Sequence, residues 1–267
     1  MRRPTIDFDK RSFFFHFKMN PNILSFRPKS FHSALRSCVP VQDSACLQEK
    51  HFMELFITIV LIIHVVAGFA ALGVGLGAIL SKKGQRVHKL TGRAFFYFML
   101  IIAGSAAIIS IVKLNEFLLL IAGFAAYQNI GGYRSVKNKQ LKPNWIDWSA
   151  TVLGLVTSVF MIVSFNIVLL VFGCICFSLV VLDLRTYYAV FSGKQIPKLA
   201  WLARHIGFMM GAYIATFTAF VVVNVRNVEP AWIPWLAPTV VGVPLMQYWT
   251  WKYTRRKNVK VMAVNDK

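Results

Sequence analysis

Long apolar segments alternate with short polar ones along this chain from residue 55 onward. The first apolar segment covers residues 55–80 and is interrupted only by Thr58 and His64. At 1.5 Å per residue, a helix of this length crosses a hydrocarbon core of about 30 Å. Gly73 and Gly77 lie four residues apart, a spacing that lets a neighbouring helix approach closely. The segment therefore predicts a transmembrane helix with one face packed against protein.

Further apolar runs follow this first segment. Residues 148–182 form a stretch too long for one crossing as a helix, so we predict a break at residues 164–166. With that break the chain has seven spans, and the fold class is an all-α polytopic transmembrane helix bundle. The runs after the first are residues 94–112, 117–132, 148–164, 167–182, 202–223 and 231–249.

The charges between the spans predict the orientation of the bundle. The first, third and fifth loops carry four or five Lys and Arg residues each, whereas the even-numbered loops carry at most one each. Because Lys and Arg accumulate in cytoplasmic loops, the odd-numbered loops and the C-terminus are predicted to face the cytoplasm. The N-terminus of the first span then lies outside. We expect a multi-pass protein of a bacterial cytoplasmic membrane.

The two ends of the chain differ in kind from the spans. Residues 1–52 mix nine basic and four acidic residues with Ser, Pro and Phe, without helical or strand periodicity. They are predicted to form a disordered basic tail, and their positive charge lies on the wrong side for the orientation above. Met53 lies just before the first span, which raises the hypothesis that the native protein starts there and that residues 1–52 are a mis-called upstream extension. The transmembrane domain is assigned to residues 53–252 and a basic cytoplasmic tail to residues 253–267.

Composition narrows the class of protein and of partner. Hydrophobic residues make up 57% of the 267 residues, and the formal net charge is +20. The basic residues lie between apolar spans rather than on one soluble face, so they indicate topology and not nucleic-acid binding. The predicted partner is the lipid bilayer. Cys174 and Cys176 point to different faces of a span and predict apolar packing rather than a metal site or a disulfide.

Polar residues gather where several spans reach the predicted cytoplasmic face. Two interpretations stay open for this gathering: a functional site, or charged helix ends that anchor the bundle by extending to the membrane surface. The residues concerned are His88, Arg93, Gln128, Asn129, Tyr133, Asp147, Asp183, Arg185, Arg204 and His205.

His64 occupies a different position, about ten residues into the first span and near the bilayer midplane. Ionisable residues at that depth are rare and are candidates for function. The alternative is a buried polar site in which a neutral His64 is hydrogen-bonded to a residue of another span. Candidate partners are Tyr213, Thr216 and Gln247.

Histidines within a helix bundle raise the question of a bound cofactor. Two imidazoles that face each other at equal depth are the requirement for b-type haem. His88 and His205 have compatible depths, whereas His64 lies roughly 10 Å deeper than His205. The same two histidines with Asp183 form an alternative two-histidine, one-carboxylate set for a transition metal. No nucleophile–base pair or Walker lysine points to soluble-enzyme chemistry.

Three segments of the chain resemble an uncharacterised group of bacterial multi-pass membrane proteins, the domain of unknown function 2306 family. They are residues 63–72 with His64, residues 87–93 with the sequence Val-His-Lys-Leu-Thr-Gly-Arg, and residues 204–213 beginning Arg-His-Ile-Gly. The resemblance covers about residues 55–225 and carries over to His64, His88, Arg93 and His205. It implies a membrane fold and supplies no activity.

The residues favour a haem- or metal-dependent redox or electron-transfer membrane protein that uses His88 and His205. A small-solute or proton transporter, in which His64 titrates within the path, is the alternative from another class. A non-catalytic assembly or scaffold protein is the third interpretation.

Overall fold

The computed structural model describes residues 44–225 and 228–265. Every regular element in these ranges is a helix, which confirms the all-α prediction for the described chain. In chain order the seven helices of the described residues are α1 Ser44–Leu80, α2 Arg86–Val112, α3 Glu116–Lys137, α4 Trp145–Val163, α5 Ile167–Phe191, α6 Ala200–Asn224 and α7 Ile233–Asn265.

Five of the seven helices are long and apolar enough to cross a membrane. They are His51–Leu80 within α1, and α2, α4, α5 and α6. α3 and α7 are helices at the predicted places but fall outside this set. The buried face of α3 carries Tyr127, Gln128 and Asn129, and α7 contains Pro238 and Pro244, which lowers the apolar character of both.

The chain divides into two compact units, Met1–Met53 and Glu54–Lys267. In the first unit, the predicted disordered tail lies outside the described residues up to position 43. Residues 44–52 are helical in the structure, as part of α1. This short stretch contains Ala, Leu, Gln, Glu and Lys, which all favour helix, so a helical start is compatible with the sequence there.

Side chains at the helix ends fix several boundaries in the second unit. Asn144 Oδ1 accepts from the backbone N–H of Asp147, and the Asp147 carboxylate accepts from the backbone N–H of Asn144, which forms a capping box at the start of α4. Asn166 caps α5 in a similar way by accepting from Val168 and Leu169. The break predicted at residues 164–166 is confirmed, since α4 ends at Val163 and α5 begins at Ile167.

Helix α3 is the central element of this unit, since it packs against α2, α4, α5 and α6. One buried cluster joins Phe124 and Tyr127 of α3 to residues of α4, α5 and α6. A second cluster joins Ala125 of α3 to residues of α1, α2 and α6. The apolar faces of α1 and α4 are largely exposed, as expected for helices that contact lipid.

Several helices extend beyond the apolar runs that predicted them, and three of these extensions lie at the polar end of the bundle. α3 continues past Gly132 to Lys137, α5 continues past Leu182 to Phe191, and α2 begins at Arg86, eight residues before Ala94. The added turns carry His88, Arg134 and Asp183. These extensions bring polar residues of several helices together at one end of the bundle.

Candidate functional site

The first turns of α6 lie close against α3 at Gly131 and Gly132. A Cβ atom at Gly131 would be 2.4 Å from the ring of Phe208, and one at Gly132 would be 2.7 Å from Sδ of Met209. Such contacts are too short for any side chain larger than hydrogen. The two glycines therefore let α6 approach the backbone of α3, as small residues do between membrane helices.

Consecutive residues of α6 bind the carbonyl groups of these glycines. Arg204 Nη1 donates to the Gly131 carbonyl oxygen at 2.6 Å, and His205 Nδ1 lies 2.9 Å from the Gly132 carbonyl oxygen. A carbonyl oxygen can only accept, so Nδ1 of His205 carries the hydrogen. In the neutral imidazole, the lone pair then lies on Nε2.

His88 is held in the same manner by the end of α1. Its Nδ1 lies 3.0 Å from the carbonyl oxygen of Ala78, which belongs to the last turn of that helix. Carbonyls of a last turn lack intrahelical partners, and here Lys83 Nζ also donates to the Ala78 oxygen at 3.1 Å. Partial burial lowers the pKa of the Lys83 ammonium from its ordinary value. The Nε2 lone pair of neutral His88 is again left for a ligand.

The two histidines face each other across the gap between α2 and α6. Their ring centroids are 6.4 Å apart and their planes are nearly perpendicular, at 87°. Both side chains are half-buried. The structure thus brings together the two residues that were predicted to hold a cofactor.

Asp183 of α5 is bound by other groups. Arg204 Nε and Nη2 donate to its two oxygens at 2.6 and 2.7 Å, and Tyr127 Oη donates to Oδ2 at 2.9 Å. The Arg204 guanidinium is also 4.4 Å from the ring centroid of Phe208 and donates to Ser135 Oγ. This network joins α3, α5 and α6 and fixes the turn of α6 that carries His205.

The predicted three-ligand metal set of His88, His205 and Asp183 is not assembled in the structure. No three His, Cys, Asp or Glu side chains form a metal-binding group within residues 44–225 and 228–265. The reason is that the Asp183 carboxylate forms a bidentate ion pair with Arg204. Arg93, the remaining residue of the family-like motif, is exposed on α2.

A second ion pair lies beside this network. Arg134 of α3 donates through Nε and Nη2 to the two oxygens of Asp147, at 3.0 and 2.7 Å. A cavity of about 10 Å³, the size of one water molecule, is lined by residues of both pairs and by Tyr187. Asp147 and Asp183 are both buried, so neither reaches the membrane surface as an anchoring charge would.

His64 of α1 forms a separate polar contact with α2. Its Nδ1 lies 2.9 Å from Ser105 Oγ of α2, and Ser105 Oγ in turn lies 2.7 Å from the carbonyl oxygen of Ile101. The partner is therefore Ser105 rather than Tyr213, Thr216 or Gln247, the residues suggested from sequence. A serine between Gly104 and Ala106 in an apolar run gives no sign of this role.

Several contributors to the site were missed from sequence. Tyr127, Gly131 and Ser135 are buried on α3 and supply the groups that Arg204 and Asp183 contact. One signal in the sequence was available. Because Arg204 directly precedes His205, both side chains leave the same turn of α6 and can contact neighbouring helices there.

In comparisons with known proteins, no family model, no curated protein and no solved structure matches the chain.

Proposed function

We propose that this integral membrane protein binds haem between His88 and His205 and transfers single electrons. The observation that carries the proposal is the pair of imidazoles 6.4 Å apart, each held through Nδ1 by a backbone carbonyl. The apolar helices support the membrane setting. Seven spans, with α3 and α7 included, and the orientation with the N-terminus outside belong to the proposal.

The number of ligands favours haem over a single bound metal ion. A zinc or iron ion held by the protein alone takes three or four protein ligands, whereas haem would need only two from the protein, here His88 and His205. The described residues offer two histidines and no third His, Cys, Asp or Glu beside them. Haem would supply reversible one-electron chemistry at this place.

The separation of the rings fits a shared iron. With metal–nitrogen distances of about 2 Å, two imidazoles that would both bind one metal ion through Nε2 would have ring centroids up to roughly 6 Å apart. The observed separation is 6.4 Å. The nearly perpendicular planes are compatible with two ligands held by different helices.

The hydrogen bonds at Nδ1 have a chemical consequence. A histidine whose second ring N–H donates a hydrogen bond to a carbonyl oxygen is fixed in tautomer and orientation, and its ligating nitrogen becomes more basic. Ala78 and Gly132 provide these carbonyls from α1 and α3. Four helices thus determine the ligand positions, and the Arg204–Asp183 network holds α6 in register.

The predicted orientation places this pair near the cytoplasmic face of a bacterial cytoplasmic membrane. A soluble electron donor or acceptor could then approach His88, which is half-buried at the start of α2. We also propose that the chain belongs to the domain of unknown function 2306 family. The support is the resemblance of its sequence to motifs of that family at His64, His88, Arg93 and His205.

The test is a visible absorption spectrum of the full chain purified from membranes of cells supplied with haem. We expect a Soret band, and sharpened bands on reduction with dithionite. His88→Ala and His205→Ala should each abolish the reduced spectrum, while His64→Ala, the matched loss of a histidine from the same bundle, should preserve it. A folded but colourless protein, or an unchanged spectrum in His205→Ala, would overturn the proposal.

Proton or small-solute transport is a second candidate, and the His64–Ser105 contact inside the bundle favours it. A titrating group within a span is a common element of proton pathways. Transport predicts a pH-dependent flux in proteoliposomes that is lost in His64→Ala and retained in His88→Ala. If neither the spectrum nor the flux responds, the scaffold interpretation is the one that stands.

A further inference from the structure

Two loops at one end of the bundle form an open pocket lined by lysines. The α3–α4 loop contributes Lys139 and the α5–α6 loop contributes Lys194 and Lys198, around a volume of about 330 Å³. We call these three residues with Leu141 and Ile196 the lysine pocket. Its volume reaches the lower range of small-ligand sites.

The charge of the pocket is unbalanced. Its lining contains three ammonium groups and no carboxylate. Lys139 lies over the ring of Trp201 at 5.2 Å and Lys194 over Tyr188 at 5.3 Å. Exposed contacts of this kind are weak, so the ammonium groups can turn toward a ligand at small cost.

The position of the pocket in the fold indicates its surroundings. It lies at the connection between α5 and α6, which are both apolar enough to span a membrane, and it therefore lies at the membrane–water boundary. Tyr188 and Trp201 belong to the residue types that concentrate at this level. Leu141 is buried and Ile196 is half-buried, so the pocket has an apolar wall beside its charges.

We propose that the lysine pocket binds a phosphate group, supplied by the headgroup of an anionic membrane lipid. Basic pockets between membrane helices recognise such headgroups, and an anion offsets the mutual repulsion of the three lysines. The apolar wall suits the glycerol and first acyl carbons of a lipid. The site uses none of the residues proposed to bind haem, so it stands or falls independently of that function.

The experiment measures lipid retention by native mass spectrometry of the full chain in detergent. The probes are phosphatidylglycerol, zwitterionic phosphatidylcholine and inorganic phosphate. The test variant is Lys139→Gln/Lys194→Gln/Lys198→Gln, and the matched control is Lys82→Gln/Lys89→Gln/Lys252→Gln, which removes the same charge outside the pocket. At about 1 kcal/mol per lysine, we expect the affinity for phosphatidylglycerol to fall roughly 100-fold in the test variant alone.

Equal losses in the two triple variants would overturn the proposal, because general surface charge would then explain the binding. Equal retention of phosphatidylcholine by the unmodified protein would also overturn it, because the pocket would then not select a lipid of net negative charge. Displacement of the lipid by millimolar inorganic phosphate would support the phosphate site and identify the phosphate as the recognised group. Acetylation of the three lysines in the unmodified protein gives a measurement that needs no variant. Phosphatidylglycerol should protect them and phosphatidylcholine should not; equal labelling with both lipids would contradict the proposal.

Discussion

The two ion pairs at the polar end of the bundle have similar geometry and different surroundings. Both are bidentate, with an arginine Nε and Nη2 on the two oxygens of an aspartate. Arg204–Asp183 joins α6 to α5, and its side chains are 11% and 2% exposed. Arg134–Asp147 joins α3 to α4, and its side chains are 19% and 6% exposed.

The further hydrogen bonds of each ion pair show which part of the fold that pair stabilises. Asp183 also accepts from Tyr127, and Arg204 also donates to Gly131 and Ser135, so this pair connects three helices. Asp147 instead accepts from the backbone of Asn144 in its own capping box. The first pair therefore fixes tertiary packing beside His205, and the second mainly fixes where one helix begins.

We call Arg204–Asp183 the inner pair and Arg134–Asp147 the outer pair. The largest expected effect on stability comes from breaking the inner pair. In Asp183→Ala, the guanidinium of Arg204 stays buried without its counter-charge, and removing one partner of a buried pair costs about 3–5 kcal/mol. We expect this loss in the free energy of unfolding, measured by denaturant titration in detergent micelles. Asp183→Leu/Arg204→Met is the control: with neither charge present, it should lose less than Asp183→Ala. An equal or greater loss would contradict the charge-based explanation.

The next largest effect is expected when α6 can no longer approach α3 closely. A variant at Gly131 tests whether the inner pair depends on this approach. In Gly131→Ala the new Cβ would lie 2.4 Å from the Phe208 ring and 3.1 Å from Arg204 Nη2. Overpacking of this kind costs about 1–3 kcal/mol. Gly104→Ala on α2 is the matched control, because nothing lies within 4 Å of a Cβ there. Similar stability of the two variants would show that the helices separate without cost.

These residues also mark the limits of prediction from sequence. The break at residues 164–166 followed from helix length alone, because one apolar stretch exceeded the thickness of a bilayer. The identity of the Arg204 partner did not, since Asp183 lies 21 residues earlier and the pairing depends on how α5 and α6 pack. Asp183 was therefore assigned by its residue type to a metal site.

The helix ends were misjudged for a related reason. Apolar runs placed the ends of α3 and α5 at Gly132 and Leu182, yet both helices continue through charged residues. Arg134 and Asp183 are tolerated there because each has a buried partner of opposite charge. Hydropathy measures the transfer of single residues, and it does not include pairing across helices. By contrast, the approach of His88 and His205 was predictable from their equal depth.

Breaking the outer pair should cost less than breaking the inner pair. Asp147→Ala removes the buried partner of Arg134, but that arginine is 19% exposed and can be hydrated once the carboxylate is gone, so the lost pair should cost only about 1 kcal/mol. The lost side of the capping box costs about 1 kcal/mol more. We expect a loss of about 1–2 kcal/mol in the same unfolding measurement. Asn144→Ala removes the cap alone and should lose about half as much. A loss in Asp147→Ala as large as that in Asp183→Ala would remove the distinction between the pairs.

The smallest effect is expected for the neutral contact between His64 and Ser105. Hydrogen bonds between membrane helices contribute about 0.6 kcal/mol on average, because the unfolded chain in the membrane finds other partners. Ser105→Ala should therefore change the free energy of unfolding by less than 1 kcal/mol, and Ser110→Ala serves as the control for losing a buried hydroxyl on the same helix. A loss above 2 kcal/mol in Ser105→Ala alone would contradict this expectation and would show that the His64 N–H finds no other partner in the folded bundle.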